Sequence, residues 1–211
     1  MKKIACVLVL VIITLAFVGC SGDRKVPNAY IEDYLEGRYG ENGYGEVKIK
    51  HDPIVDMHID NVEVEVTTSD NEYGKVIQVI KIKYSYTKSE DIWSYKSSNW
   101  DNYILDFNAE PFCSSWSGSD IGEYNGTEIS YEIIIHNVDF ENETVSCTWK
   151  LGENSDTVEG KITKVANYYE FYISPYTVYY GIDNSKSREE YEARVIFTSK
   201  GVKVNYYGKQ E

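Results

Sequence analysis

From residue 47 onward, apolar and polar positions alternate with a period of two. Val47 and Ile49 alternate with charges. Val55, Met57 and Ile59 alternate with Asp56, His58 and Asp60, and Val62, Val64 and Val66 then follow in the opposite parity. Successive side chains of a strand point to opposite faces, so this change of parity predicts a bulge or turn at Asp60-Asn61. Ile80, Ile82, Tyr84 and Tyr86 predict a further strand with Lys81 and Lys83 outward. Residues 129–135, 145–151, 158–165 and 168–173 read the same way, with Glu141-Asn142-Glu143 as a turn. Residues 194–198 and 202–207 form a last hairpin around Ser199-Lys200-Gly201.

One stretch ahead of the strands has a helical period. Ile31, Leu35 and Tyr39 recur at fours with Tyr30 and Tyr34 beside them. Pro27-Asn28 marks the start, Glu32 and Asp33 are expected in the first turn, and Gly40 is the stop. The expected fold is mainly β. One N-terminal helix is followed by antiparallel meander sheets, as a sandwich or open barrel. The stretch 108–123 is poor in periodic apolar residues. It divides the chain into two expected β modules, 29–110 (with the helix) and 120–211.

The first residues follow a different pattern. Met1-Lys2-Lys3 is a short positive start, and residues 4–18 are apolar apart from Thr14. That run is shorter than the roughly 20 residues a spanning helix needs, and it matches the core of a secretory signal. It ends in Phe17-Val18-Gly19-Cys20, which resembles the bacterial lipobox, with Phe17 where Leu is usual. In that family the Cys thiol receives a diacylglyceryl group, and a peptidase cuts just before it. The resemblance implies that residues 1–19 are a signal peptide, that Cys20 is the lipid attachment point, and that 20–28 form a lipid-bearing linker. It also implies anchoring in a lipid bilayer, which two acyl chains make stable. Frequent Lys, Ile, Asn and Tyr point to an AT-rich genome and a Gram-positive host. The expected location is then the outer face of the cell membrane, or the outer membrane in a Gram-negative host.

Charge narrows the partners. The formal charge is −13, and loss of the leader with its two lysines makes it −15. A surface of that sign opposes nucleic acid, whose binding rests on neutralising phosphates. It also opposes lying flat on anionic lipid. Once Cys6 leaves with the leader and Cys20 is acylated, Cys113 and Cys147 remain. An even pair in an exported chain predicts a disulfide, the plainer alternative being two buried thiols.

Motifs that carry chemistry are scarce. The sequence has no Gly-x-Ser-x-Gly elbow, no phosphate-binding loop and no Cys-x-x-Cys pair, and no cofactor is expected. Asp56, His58 and Asp60 share one face of the expected strand and are ligands in type. The plainer reading is a solvated face.

The aromatic residues say more. The chain has 20 Tyr and 4 Trp. Trp93, Tyr95, Trp100 and Tyr103 are interspersed with Ser and Asn, the mixture binding loops use because these rings give large contact area at low entropic cost. On a strand, Tyr168 and Tyr172 share one face with Glu170 between them, while Tyr169, Phe171 and Ile173 face the other way. Tyr176, Tyr179 and Tyr180 extend this cluster. Large aromatics also serve packing alone. The expected function is a non-catalytic module that binds a glycan or peptide. The alternatives are a carboxylate-based hydrolase acting on glycans through Asp101, Asp106 and Glu110, or a structural or assembly lipoprotein.

Overall fold

The computed structural model describes residues 24–53, 56, 58–121, 128–151, 154–179 and 188–210. Helix α1 (Asn28–Tyr39) comes first. Strands β1 (Val47–His51), β2 (Ile59–Asn71), β3 (Gly74–Thr87) and β4 (Ile92–Phe107) then make a four-stranded sheet in chain order. A 3-10 turn (Glu110–Phe112) leads to β5 (Ser115–Ile121), β6 (Glu128–Asp139), β7 (Thr144–Leu151), β8 (Asn154–Val165), β9 (Tyr168–Tyr179), β10 (Arg188–Thr198) and β11 (Gly201–Gln210). These seven form a second sheet, again in chain order, with every neighbour antiparallel. The protein is thus mainly β, with one N-terminal helix and two antiparallel meanders. Every connection is shorter than the dozen or so residues that a parallel crossover needs, so sequential neighbours pair antiparallel.

Two glycines show why the hairpins turn where they do. Gly74 takes a φ of 114° after the two-residue turn Glu72-Tyr73, and Gly201 takes 101° after Ser199-Lys200. Side-chain-bearing residues avoid that region. A Cβ on Gly74 would also meet the backbone of Asp106 and Phe107, and one on Gly201 would meet the Trp116 ring.

Contacts group the chain into two compact units. The first takes the chain up to Asn42, Lys48–Val64 and Ile80–Asn99; the second takes Gly43–Val47, Glu65–Val79 and Trp100–Glu211. The sheets change over between Phe107 and Ser115, inside the apolar-poor stretch, but the compact units interleave along the chain.

In the first unit, α1 buries Ile31 and Leu35, and Gly40 stops it with an N–H bond to the Glu36 carbonyl at 2.9 Å. Glu32 and Asp33 fall in the second turn, not the first, because the helix already begins at Asn28. Ile80, Ile82, Tyr84 and Tyr86 are buried on β3 as their alternation predicts. The start of β2 departs from expectation. β1 ends at His51, and β2 runs from Ile59 with Asp60, Val62, Val64 and Val66 all inward. The parity therefore does not slip at Asp60-Asn61. Instead a carboxylate occupies the first inward position of the strand.

The second unit has a larger core. Ile133, Ile135, Val145, Cys147, Trp149, Ile162, Phe171, Val195 and Phe197 alternate inward along β6–β10 and pack with Val76, Phe107 and Phe112. Each Val, Ile or Phe among them contributes about 1.5–3 kcal/mol when fully buried. A register shift between Ile135 and Asn137 opposite β7 sets His136 apart as an extra, exposed residue. β5 offers little periodic apolar sequence. Its Trp116 is fixed by an indole N–H bond to the Phe112 carbonyl at 3.1 Å.

Candidate functional site

The best candidate surface lies on the outer face of the seven-stranded sheet. On β9, Tyr169, Phe171 and Ile173 are buried in the core. Their neighbours must then point out, and Tyr172 is 43% exposed. Antiparallel pairing brings further groups beside that ring. Tyr172 lies opposite Arg194 on β10, which lies opposite Asn205 on β11. One row along, Glu170 stands between Thr163 on β8 and Ile196 on β10, and Ile196 pairs with Lys203. The Arg194 guanidinium approaches the Glu170 carboxylate at 3.9 Å, a loose and half-exposed pair. Tyr168 is half-buried at the end of the same face. The result is an open surface with an aromatic ring, a cation, a carboxylate, an amide and a hydroxyl close together. Such groups supply both donors and acceptors. Tyr176 and Tyr179 lie where only the backbone is described, and Tyr180 lies outside the described residues.

The segment 93–103 is not a loop. It is part of β4, a 16-residue strand. Trp93 is 7% exposed and packs on Tyr86 with ring centroids 5.3 Å apart. Tyr95 stacks on Tyr34 of α1 at 5.6 Å, and both hydroxyls meet Ser98 Oγ, at 2.9 Å from Tyr34 and 3.0 Å from Tyr95. Beneath that stack, burial pushes the Tyr84 hydroxyl up to about 12, with Tyr34, Tyr95 and Asp33 adding to the effect. Trp100 is 42% exposed, whereas Tyr103 is half-buried and its hydroxyl accepts a bond from Gln78 Nε2 at 2.8 Å. Trp93 and Tyr95 belong to the first unit, Trp100 and Tyr103 to the second. The four do not make one binding loop.

Asp56, His58 and Asp60 do not share a face either. Asp56 and His58 are exposed in the connection before β2, where Asp56 Oδ1 accepts the His58 N–H at 2.9 Å. Asp60 is buried. Its Oδ2 accepts the Val26 N–H at 2.7 Å and meets His51 Nδ1 at 2.8 Å. Asp56 and His58 precede the strand in which Asp60 points inward, so the expected single face combines one inward carboxylate with two exposed groups. No cluster of three metal-ligating side chains occurs among the described residues.

The candidate acids also separate. Asp101 and Asp106 are both exposed on β4, five residues and so about 17 Å apart along the strand. Paired glycosidase carboxylates stand roughly 5–9.5 Å apart. Glu110 opens the 3-10 turn, its N–H bonded to Asn108 Oδ1 at 3.3 Å.

The expected disulfide is absent: Cys113 is a free, exposed thiol and Cys147 a free, buried one. Register explains this. The Ile135 N–H bonds to the Ser114 carbonyl at 3.0 Å, and Ile135 pairs in turn with Cys147. Cys113 and Cys147 are therefore about two strand spacings apart, near 10 Å, beyond the roughly 7 Å that a disulfide spans between Cα atoms. Burial also pushes the Cys147 thiol up to about 11.

Cys20 lies outside the described residues. The linker expected at 20–28 is docked over its described part. Val26 is 2% exposed, the Arg24 guanidinium lies 4.5 Å from the Tyr86 ring centroid, and Asn28 already begins α1.

Sequence reasoning found Tyr168, Glu170 and Tyr172 but missed Arg194, Asn205 and Lys203. These join them only through strand register, which no local pattern encodes. It missed the Asp60 cluster because the signal there, an acid in phase with Val62, Val64 and Val66, was assigned to the preceding alternation. No helix among the described residues is long and apolar enough to cross a membrane. Comparison of the chain with protein-family models, curated proteins and solved structures finds no match.

Proposed function

We propose that this chain is an exported lipoprotein held by acyl groups on Cys20, and that it binds a glycan without chemical turnover on the outer face of its seven-stranded sheet. The host membrane is the outer face of a Gram-positive cell membrane. The observation that carries the binding reading is the Tyr172 ring, exposed beside Arg194 and in one row of β9 with Glu170, with Asn205 one strand beyond Arg194, on a strand whose opposite face is core. A sugar presents a flat C–H face that lies on an aromatic ring, and a rim of hydroxyls that need donors and acceptors in the same plane. Arg194 and Asn205 supply donors, and Glu170 and Asn205 supply acceptors. A rigid sheet holds these groups at fixed spacing, which lowers the ordering cost of binding. The separation of Asp101 from Asp106 favours binding over hydrolysis.

The experiment is a glycan array probed with the chain lacking its leader, wild type beside Tyr172→Thr. Threonine removes the ring but keeps a β-branched strand former. Capture of a defined glycan class that Tyr172→Thr loses supports the proposal. Capture of no glycan, or equal capture by both proteins, refutes it.

A further inference from the structure

The segment 24–27 is clasped onto the first unit at several points. The Val26 side chain is buried and its N–H donates to Asp60 Oδ2 at 2.7 Å. The same carboxylate oxygen meets His51 Nδ1 at 2.8 Å, and its other oxygen, Oδ1, is buried without a protein partner. Arg24 lies over the Tyr86 ring at 4.5 Å. The Pro27 carbonyl accepts the Tyr30 N–H at 3.1 Å, which ties the segment into α1. A carboxylate buried between a histidine and a backbone N–H ties the segment that carries that N–H to the strands beneath it, since a buried charge needs every partner it has.

Its position fixes where an anchor at Cys20 can be. Cys20 and Arg24 are four residues apart, and a fully extended chain covers at most about 13–14 Å over four residues. Had all of 20–28 been a free tether, the reach would have been about twice that. Arg24 also marks one end of the first unit. Tyr86 is the penultimate residue of β3, its N–H bonds to the His58 carbonyl at 2.8 Å, and its hydroxyl bonds to Asp91 in the β3–β4 turn. That end carries exposed Arg24, Lys25, Lys88 and Ile92 together with the acids Glu90 and Asp91. Cations and an exposed apolar side chain suit the headgroup region of a bilayer.

We infer that residues 24–27 act as a clasp that holds the β3–β4 turn end of the first unit against the phospholipid surface in which Cys20 is anchored. This rests on lipid attachment at Cys20. The clasp supplies orientation, and the acyl chains supply affinity.

The test uses the full lipidated chain, reconstituted in vesicles of phosphatidylglycerol and phosphatidylethanolamine. In a Cys113→Ser background, a fluorophore is placed at Ile92→Cys or at Asn99→Cys, and quenching by headgroup spin-labelled lipid is measured. Asn99 lies about 23 Å further along β4, so quenching at 92 should exceed that at 99 by roughly threefold or more. Inserting twelve Gly and Ser residues between Ser21 and Gly22 should abolish the difference while leaving the protein on the vesicles. Equal quenching at the two sites, or a difference that survives the insertion, overturns the clasp and leaves the anchor standing. A chain that carries no fatty acyl group and stays off the vesicles overturns both.

Discussion

Phe171 and Tyr172 are adjacent on β9 and carry rings of similar size, yet replacing them should have opposite consequences. Phe171 is 4% exposed, pairs with Ile162 on β8 and Val195 on β10, and fills the space above Gly160, where a Cβ would collide with its ring. Phe171→Ala removes that ring from a packed core that can relax only in part, at a cost of about 3–5 kcal/mol. In a chain of this size each kcal/mol lowers the melting temperature by about 2–4 °C, so the expected fall is roughly 6–20 °C. Tyr172→Thr takes a ring from the outer face and keeps strand propensity, so its cost should stay within about 1 kcal/mol. Thermal denaturation followed by circular dichroism on both variants makes the comparison. If Tyr172→Thr falls as far as Phe171→Ala, the Tyr172 ring is a packing element and the outer face loses its standing as a binding surface.

Three further outcomes follow from the same structure. Under native conditions at pH 8, iodoacetamide should modify Cys113 and spare Cys147, which is buried and whose thiol is held up at about 11; modification of neither would point to a bridge and contradict the register argument. The bonds from Lys150 at 2.7 Å and Ser115 at 2.6 Å hold the Glu132 carboxyl below its ordinary value. Its contribution is therefore present above the unfolded carboxylate value of about 4.3 and lost as pH falls through the lower folded value. Glu132→Gln should accordingly flatten the acid limb of melting temperature against pH, whereas parallel curves would sink that reading. Finally, wild-type protein should incorporate labelled fatty acid and Cys20→Ala should not; an unlabelled wild type would remove the anchor.

Much of the fold was legible because its main signal is local. The alternation in β3 and β6–β11 and the turn signals between them follow from the two-residue period of a strand, and Gly40 ends the helix it was expected to end. The failures occurred where that signal is diluted. In β4, Ser97, Ser98, Asn99 and Asn102 give a strand the composition of a loop, and only pairing with β3 settles it. β5 has Trp116 as its one large described apolar side chain and is held by pairing with β6. At Asp60 the pattern was misread because an inward carboxylate looks polar in sequence, whereas its hydrogen bonds to Val26 and His51 are nonlocal. The candidate site divided in the same way. Its β9 half came from alternation, and its β10 and β11 half came from register.

If the outer face of the seven-stranded sheet binds a glycan as proposed, Tyr172 carries the contact. Calorimetric titration of the strongest array glycan into wild type, Tyr172→Thr and Trp100→Ala tests it most directly, since Trp100 is equally exposed but lies on β4. Tyr172→Thr should lose at least tenfold in affinity, equivalent to about 1.4 kcal/mol, with Trp100→Ala unchanged. Unchanged affinity in Tyr172→Thr, with the loss in Trp100→Ala instead, would contradict it.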